Sequence, residues 1–546
     1  MWALAVNRVH AAALLYRRGM DLAGVVKMRV RFAMGLLCAS AVCQAAAPLS
    51  ASDYALLNRV SYGVSAAQVA EYQKLGRIAY LDALLRYQGD AALDAASRRR
   101  VDALPIQHLQ LSALVSEARV EARRIKAMRD GAAKQEAHKA QQMRSNDFVL
   151  QASQRRLVRA LYSGNPLQEQ LTWFWFNHFN VFQGKGQVRL LLADYEERAI
   201  RPHVLGKFQD LLMAVLTHPA MLVYLDNAQN AVNAANENYA RELMELHTLG
   251  IDGGYTQRDV QELARILTGV SVAPMTQLAR GQRPSPPGFR TDGTFAFYPK
   301  RHDEGEKIFL GRVFPAGAGY GEVEEAVAML AKNPATAHTL SRGLATYFLA
   351  DDPPPSVVAR MQQAYLRSDG DIAETLRALF SSEEFLSGRY GGKKFKDPVQ
   401  FIFSGLRLLY GDDKVSNDRP VIGWLAYLGE PLYGKQTPDG YGLTQKDWAS
   451  PDQMAKRFEV ARALVTSQLR LFSLSDADPA SMPEQDNARM QQARRVAQAA
   501  HPIDVDGIMQ LLRPSLSTQT LDTVQQAATD DERAALLLAS PEFMYR

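Results

Sequence analysis

One short stretch of the chain concentrates side chains that can do chemistry. Residues 236–250 read N-E-N-Y-A-R-E-L-M-E-L-H-T-L-G and combine carboxylates, an arginine, asparagines and a histidine. At about 100° per residue, Arg241, Glu242 and Glu245 fall on one face of a helix, whereas His247 falls on the opposite, apolar side. Glutamates at i and i+3 can share a proton or a ligand, and a neighbouring arginine can keep one of them ionised. The stretch therefore predicts an acid–base or ligand-binding face, with His247 assigned to packing.

Imidazoles and a further carboxylate elsewhere in the chain could complete a metal site with this face. One histidine lies in L-T-W-F-W-F-N-H-F-N-V-F (171–182), and another begins H-D-E-G-E-K (302–307). Carboxylates together with imidazoles suit zinc, manganese or iron. The hypothesis names these catalytic residues: Glu242, Glu245, Arg241 and His178. It names these ligands for a divalent metal: Glu242, Glu245, His178, His302 and Asp303.

A structural role for the same residues is the alternative. A polar stripe with an arginine between glutamates is often a solvated or salt-bridged face. The helix at 171–182 is aromatic all round, which is typical of a helix buried on every side, so His178 could be a core residue. His302 could be a turn residue.

The N-terminus carries the pattern of an export signal. From Met28 the chain reads M-R-V-R-F-A-M-G-L-L-C-A-S-A-V-C-Q-A, with a basic start, an apolar run and small residues at the end. The apolar run is too short for a permanent membrane span. We expect a signal peptide at 28–45 and an upstream extension at 1–27. The mature protein would then lie in the periplasm or be secreted.

Removal of that leader changes two bulk properties of the chain. Cys38 and Cys43 are the only cysteines and leave with it, so thiol and disulfide chemistry are excluded from the mature protein. The leader also holds six basic residues and one acidic residue, so 57 of each remain instead of a formal net charge of +5. Balanced charge gives no support for a nucleic-acid partner.

Helical patterns dominate the remaining sequence. Apolar residues recur at helical spacing from Ser52 onward, interrupted by Gly, Pro and Asn. In the second half of the chain the pattern predicts helices at 322–332, 334–350, 356–367, 371–386, 398–410, 451–472, 482–499, 504–512, 517–528 and 530–540.

Three segments depart from this pattern. Residues 89–147 are long, charged and poor in Gly and Pro, which predicts an exposed helical arm. Residues 273–300 and 430–448 are rich in Pro and Gly and predict loops. Within 294–314, T-F-A-F-Y and K-I-F-L-G-R-V-F predict two short strands that frame R-H-D-E-G-E-K. We expect a small β-ribbon there.

An internal similarity indicates two helical subdomains. E-T-L-R-A-L-F-S-S-E-E-F-L (374–386) resembles E-R-A-A-L-L-L-A-S-P-E-F-M (532–544). The expected fold is therefore mainly α, a multi-helix array in two packed helical subdomains, 46–390 and 391–546.

Several longer motifs occur along the chain in this order: D-Y-A-L-L-N-R-V-S-Y-G (53–63), W-F-N-H-F-N (175–180), H-P-A-M-L-V-Y-L-D-N (218–227), the whole of 236–250, G-Y-T-Q-R-D-V (254–260), H-D-E-G-E-K (302–307) and S-P-E-F (540–543). Together these motifs resemble, in the same order, one bacterial family, catalogued as domain of unknown function 1800. The resemblance runs from about residue 53 to the C-terminus. It implies an exported protein, often encoded beside a second exported family of sulfatase-like character.

Two functions are therefore expected. The first is a metal-dependent hydrolase acting on envelope or extracellular material through the Glu/His/Asp site. The second is a non-enzymatic binding or assembly protein that works with an exported partner encoded nearby. The geometry of Glu242, Glu245, His178 and His302 discriminates between them, because a site requires these side chains to converge.

Overall fold

The computed structural model describes residues 49–87, 89–273, 287–292, 294–411, 413–472, 495 and 501–546. The predicted extension 1–27 and signal peptide 28–45 lie outside the described residues, as does the predicted helix 482–499 apart from residue 495. The described fold is mainly α with small antiparallel sheets, as predicted.

Side-chain caps begin many of the N-terminal helices. Ser50 accepts a hydrogen bond from the Asp53 amide, and Ser65 accepts one from the Gln68 amide. Such caps satisfy amides that the first helical turn leaves without partners. The first six helices are α1 (Ala51–Arg59), α2 (Ala66–Leu75), α3 (Arg77–Leu84), α4 (Ala95–Asp102), α5 (Leu111–Ala127) and α6 (Gly131–Tyr162).

Helices α5 and α6 form an antiparallel hairpin. The Arg144 guanidinium lies 3.0 Å from the Glu117 carboxylate, and Lys134 Nζ donates to the Lys126 carbonyl. The contact between Lys126 and Lys134 therefore joins the two helices near the turn that connects them, and the contact between Glu117 and Arg144 joins them further from that turn. The hairpin occupies most of the segment predicted to be a charged arm.

The middle of the chain surrounds an aromatic helix, α7, with shorter elements. Every residue of α7 from Pro166 to Asn177 is buried, as its all-round aromatic pattern predicted. A π-helix, Tyr195–Ile200, follows α8 directly. The helices of this part are α7 (Pro166–His178), α8 (Val188–Asp194), α9 (Phe208–Thr217), α10 (Pro219–Tyr224), α11 (Glu237–Glu245) and α12 (Gln257–Ile266).

Two small antiparallel sheets follow α12. Strand β3 (Phe295–Phe297) lies between β1 (Val270–Val272) and β2 (Arg290–Asp292), and β4 (Lys307–Phe309) pairs with β5 (Arg312–Phe314). The β-structure predicted near 294–314 is therefore present, but its two predicted strands do not pair with each other. The first joins strands from outside that range, and the second folds back on itself as a hairpin because Gly311 adopts a left-handed conformation in its turn.

The second half of the chain is helical again. Proline occupies the first turn of several of these helices, where its missing amide costs nothing. The helices are α13 (Tyr320–Lys332), α14 (Pro334–Phe348), α15 (Pro355–Arg367), α16 (Ile372–Phe380), α17 (Glu383–Leu386), α18 (Pro398–Tyr410), α19 (Arg419–Tyr427), α20 (Gln445–Trp448), α21 (Pro451–Thr466), α22 (Gln468–Phe472), α23 (Val505–Leu512), α24 (Thr518–Gln525) and α25 (Asp530–Ala539).

The two similar segments noted in the sequence have the same local structure. Ser382 Oγ donates to the Leu379 carbonyl and accepts from the Phe385 amide at 3.3 Å. Ser540 Oγ does the same with Leu537 and with the Phe543 amide, at 3.2 Å. Both phenylalanines are buried. We call these segments, 374–386 and 532–544, the first and second closing motifs.

One hydrophobic core extends through most of the described chain. Leu49–Arg546 group into one compact unit, and the core draws on helices from both sides of residue 390. The division into subdomains 46–390 and 391–546 stays a prediction. Within the described ranges, every helix is too short or too polar to cross a membrane.

Two large networks of charged side chains are buried. In the arginine network, guanidinium groups of α6 and of the turn after the π-helix meet carboxylates. In the lysine network, cations lie near the paired segments 394–396 and 544–546. The arginine network comprises Arg155, Arg156, Arg159, Arg201, Asp90, Glu169, Glu196 and Glu197. The lysine network comprises Lys394, Lys396, Arg457, Arg546, Asp397 and Glu430.

Candidate functional site

The central helix α11 is shorter than the motif that contains it. Asn236 caps its start by accepting from the Asn238 amide, and regular helix ends at Glu245. Beyond that point the Gly250 amide reaches back to the Met244 carbonyl at 3.2 Å. Gly250 has a φ of 85°, a conformation that favours glycine. The chain therefore winds once more after the helix and reverses at Gly250.

The two faces of α11 divide as the helical wheel predicted. Leu243, Met244 and His247 are buried, whereas Glu242 and Glu245 remain partly exposed. Amphipathic spacing alone is enough to specify this division. The glutamates are therefore accessible to a ligand, and His247 belongs to the core.

Glu242 lies in an electrostatic environment that favours its protonated form. Burial raises the pKa of the Glu242 carboxyl, and the charges of Glu245 and Asp439 raise it further, although Arg241 opposes them. Like charges close together make the second ionisation costly. We call Glu242, Glu245 and Asp439 the carboxylate face.

Arg241, which was predicted to keep one of the two glutamates ionised, forms its hydrogen bonds with other residues. Its Nη2 lies 3.1 Å from Glu237 Oε2 and donates to Gln257 Oε1 at 2.9 Å. The arginine therefore ties the start of α11 to the start of α12. It also lowers the pKa of Glu242, by less than Glu245 raises it and by more than Asp439 raises it.

A loop far along the chain brings Asp439 to this face. Asn180 Nδ2 donates to the carbonyls of Lys435 and Thr437, and Tyr224 Oη donates to the Gln436 carbonyl at 2.8 Å. These bonds hold the loop at residues 435–437 against α10 and the chain after α7. The pKa of Tyr224 is raised to about 12 by burial, with Asp439 and Glu242 adding to the shift.

The end of α7 holds the other side of the same loop. Asn177 Nδ2 donates to the Tyr441 carbonyl, and Asn177 Oδ1 accepts from the Tyr441 amide. Gly440 packs so closely that a Cβ there would lie 2.3 Å from the Asn177 carbonyl oxygen. The asparagines of the W-F-N-H-F-N motif are therefore positioning residues for the Asp439 loop.

His178 lies between these asparagines but turns away from the loop. Its Nε2 lies 3.1 Å from the His247 carbonyl oxygen, so this nitrogen carries the proton. Burial lowers the pKa of His178 to about 4, which leaves the ring neutral at pH 7. Its ring stacks on Phe174 and meets Trp175 and Phe179 edge-on. These contacts match those of a packed histidine.

His302 is closed off from solvent by a buried ion pair. Lys307 Nζ lies 2.8 Å from Glu322 Oε2, and His302 Nε2 lies 3.5 Å from the same oxygen. His302 Nδ1 meets the backbone carbonyl of Thr268 at 2.9 Å. The side chains of His302, Lys307 and Glu322 are each 0% exposed. This arrangement anchors H-D-E-G-E-K to the first turn of α13.

The carboxylate of Asp303 binds an arginine. Arg265 Nε donates to Asp303 Oδ2 at 2.8 Å, and Arg265 Nη2 donates to Oδ1 at 3.2 Å. The guanidinium lowers the pKa of Asp303, helped by the Gly305 amide. A bidentate pair of this kind uses both carboxylate oxygens.

Comparison with known proteins assigns the chain to a family. The family model described as "Protein of unknown function (DUF1800)" matches residues 55–545. The chain belongs to the DUF1800 family. No curated protein and no solved structure matches the chain.

The five metal ligands predicted for this DUF1800 protein lie in different surroundings. His178 packs against His247, His302 meets Glu322, and Asp303 binds Arg265. In the parts of the chain that the structure describes, no group of three or more His, Cys, Asp or Glu side chains could hold a metal ion. Among the described residues, these five side chains therefore do not form one cluster.

Asp439 and Tyr224 are the residues of the candidate site that sequence reasoning missed. Asp439 lies in Pro438-Asp439-Gly440, a turn signal that predicted only a loop. Tyr224 belongs to H-P-A-M-L-V-Y-L-D-N, one of the motifs of the resemblance. Neither residue has a spacing relation to Glu242 that a linear pattern could show.

Proposed function

We propose that this DUF1800 protein is exported and hydrolyses envelope or extracellular material by acid–base chemistry at the carboxylate face. The observation that carries the proposal is the half-buried Glu242, whose pKa is raised by burial and by Glu245 and Asp439. A general acid must hold its proton near the working pH, and paired carboxylates in unlike environments meet that need.

The reaction needs two groups with opposite roles. Protonated Glu242 gives its proton to the leaving atom of the scissile bond. A neighbouring carboxylate, that of Glu245 or Asp439, takes a proton from the attacking water, whose oxygen forms the new bond. The products separate with both carboxyl groups ready to exchange protons with solvent. Asn177, Asn180 and Tyr224 keep the Asp439 loop in place.

The test compares Glu242→Gln with Glu237→Gln, a change on the same helix outside the carboxylate face. Isolated envelope and extracellular polymer fractions are incubated with each protein, and newly released reducing ends and amines are measured. We expect Glu242→Gln to lose activity about 100-fold or more and Glu237→Gln to keep it. Activity of the wild type should fall as the pH rises through the pKa of Glu242, which lies above 4.5.

Two outcomes would count against acid–base hydrolysis at this face. One is equal release by wild type and Glu242→Gln. The other is full loss of wild-type activity on chelation, restored by zinc, manganese or iron, which would instead favour the metal-dependent hydrolase.

A second candidate function, assembly with an exported partner, is favoured by the α5–α6 hairpin. Val120 and Met143 on this hairpin are 63% and 61% exposed, which is high for large apolar side chains on a hairpin that is otherwise charged. Co-purification from the periplasm of wild type and of Val120→Glu/Met143→Glu tests it. If an exported partner co-purifies in the same stoichiometric amount with both proteins, the exposed apolar residues of the hairpin do not bind it.

A further inference from the structure

The closed end of the α5–α6 hairpin lies outside the hydrophobic core. Val115 of α5 belongs to that core and Val149 of α6 packs against it, but no described residue between them does either. At about 1.5 Å per residue, Ala127 at the end of α5 lies about 18 Å along the helix from Val115. We call residues 122–135, which contain the turn between the helices, the hairpin tip. The tip does not include the two exposed apolar residues of the hairpin considered above.

The hairpin tip is strongly basic, although basic and acidic residues are balanced in the chain from residue 46 onward. The acidic residue of the tip, Asp130, accepts hydrogen bonds from the amides of Ala132 and Ala133 and so caps the start of α6. The five basic residues of the tip are Arg123, Arg124, Lys126, Arg129 and Lys134. The tip therefore carries a formal charge of +4.

Much of this positive charge faces solvent. Arg123, Lys126 and Arg129 are exposed. Arg123 and Lys126 are three residues apart on α5, so they lie on the same side of the helix. Between residues 111 and 147, all of which the structure describes, the ion pairs are those of Arg124 with Glu121 and of Arg144 with Glu117. Three exposed cations of the tip are therefore available to an anionic surface outside the protein.

The composition of the hairpin favours a phospholipid surface as that partner. Residues 111–147 contain no Phe, Trp or Tyr. Aromatic side chains are the common anchors of protein interfaces, and they provide the stacking platforms for single-stranded nucleic acid. Clusters of about four to eight Lys or Arg side chains, by contrast, are typical of surfaces that bind anionic lipid. The tip has the charge of such a cluster and lacks aromatic anchors.

Apolar groups at the turn also fit a membrane surface better than a soluble polyanion. Met128 follows α5 directly and is partly exposed, and Ala127 beside it is exposed. Thioether and methyl groups can enter the boundary between lipid headgroups and acyl chains. The phosphate backbone of a nucleic acid offers charge but no such apolar layer. The tip therefore combines the two components of binding at a membrane surface.

We propose that the hairpin tip binds reversibly to a membrane surface rich in anionic phospholipid. Arg123, Lys126 and Arg129 contact the phosphate groups, and Met128 enters the headgroup layer. The contact is mainly electrostatic, so it weakens as the salt concentration rises. The carboxylate face takes no part in it, so hydrolysis at that face and binding at the tip can fail independently.

Flotation of the whole chain with phospholipid vesicles tests the proposal. One preparation mixes phosphatidylglycerol with phosphatidylcholine, and the other contains phosphatidylcholine alone. Each basic residue near an anionic surface strengthens binding about 5-fold. We therefore expect the wild type to bind the mixed vesicles and Arg123→Gln/Lys126→Gln/Arg129→Gln to bind them about 100-fold more weakly.

The matched control removes the same charge elsewhere. Lys74→Gln/Arg99→Gln/Arg513→Gln changes three exposed residues on or beside α2, α4 and α23, and it should bind like the wild type. Thermal melting checks that both triple variants are folded. Lysine acetylation followed by mass spectrometry locates the contact in the wild type. The mixed vesicles should slow acetylation of Lys126 and leave that of Lys446, which is exposed on α20, unchanged.

Weaker binding by the tip variant, with wild-type binding by the control, supports the proposal. Equal weakening in both variants overturns it, because net charge rather than the tip then determines binding. Equal binding of the wild type to both vesicle preparations also overturns it, as does unchanged acetylation of Lys126 on vesicles that bind the protein. Binding to a DNA duplex without binding to the mixed vesicles would assign the tip to a nucleic acid instead.

Discussion

In the arginine network each of the four arginines lies within 3.4 Å of a carboxylate oxygen. In the lysine network, by contrast, Lys396 Nζ donates to Ser404 Oγ at 3.0 Å and lies 3.7 Å from the centre of the Phe543 ring. The cations of both networks are buried, but Lys396 has a hydroxyl group and an aromatic ring as partners where the four arginines have carboxylates.

The partners decide the charge state of the carboxyl groups in the arginine network. Burial alone would raise the pKa of Glu197, but Arg155 and Arg159 outweigh it and lower the pKa to about 2. The pKa of Glu169 is lowered as well, because Arg201, Arg159 and Arg156 overcome the effect of burial. These groups remain ionised at neutral pH.

Burial has the opposite result in the lysine network. It raises the pKa of Glu430 well above the usual range, and the neighbouring Asp397 adds to the shift. It lowers the pKa of Lys396 well below the usual range, with Arg546 and Arg457 adding repulsion. A buried charge without a close opposite charge is disfavoured, so these groups move towards their neutral forms.

Removing one arginine should have the largest effect, because it leaves a buried carboxylate without its partner. Arg156 Nε lies 2.8 Å from Glu196 Oε2, and both side chains are 1% exposed. We expect Arg156→Met to lower the free energy of unfolding by about 3–5 kcal/mol. Urea-induced unfolding measures the change.

Lys396→Met is the matched substitution in the lysine network. Burial disfavours the charged form of Lys396 by lowering its pKa, so a thioether of similar size should replace the amine at little cost, and we expect a change within about 1.5 kcal/mol of zero. The double change Arg156→Met/Glu196→Gln should recover more than half of the loss in Arg156→Met. Equal losses of stability in Arg156→Met and Lys396→Met would contradict this expectation. They would show that the burial of a side chain, rather than its pairing with an opposite charge, determines the change in the free energy of unfolding.

The dependence of stability on pH should come from different networks at the two ends of the scale. The folded-state pKa of Glu430 is raised, so its contribution is fully present below about pH 4.5 and is lost as the pH rises through the folded pKa. The pKa of Glu197 is lowered to about 2, so its contribution is present above about 4.5 and is lost as the pH falls.

Glu430→Gln isolates the first of these contributions, because the amide stays neutral like the protonated acid. The free energy of unfolding of the variant, relative to wild type, should increase with pH above 4.5. The slope is at most about 1.4 kcal/mol per pH unit for one proton. Chemical unfolding between pH 4 and 8 gives this slope. Parallel curves for the two proteins would mean that Glu430 titrates as it does in the unfolded chain.

The sequence alone predicts features that depend on neighbours along the chain. The spacing of Leu243, Met244 and His247 predicts their burial, because helical periodicity places them on one face. The all-round aromatic pattern of α7 predicts a core helix in the same way.

Features that depend on distant segments were not predictable. The burial of Arg155, Arg156 and Arg159 depends on carboxylates that a π-helix brings opposite them. The carboxylate face needs Asp439 from another part of the chain in the same way. His302 was predicted to meet Glu242, whereas the structure places His302 Nε2 3.5 Å from Glu322 Oε2, in the helix that follows the β4–β5 hairpin.

The smallest effect on stability is expected for an arginine–glutamate pair that is exposed to solvent. Glu117 and Arg144 approach to 3.0 Å, about as closely as Arg156 and Glu196, but their side chains are 61% and 63% exposed. Water and salt screen both charges in either state, and ordering two long side chains costs entropy. A double-mutant cycle of Glu117→Gln and Arg144→Met should therefore give a coupling of about 0.2–1 kcal/mol that falls further in high salt. A coupling as large as that between Arg156 and Glu196 would make distance between the charges, rather than their exclusion from water, the quantity that decides their energy.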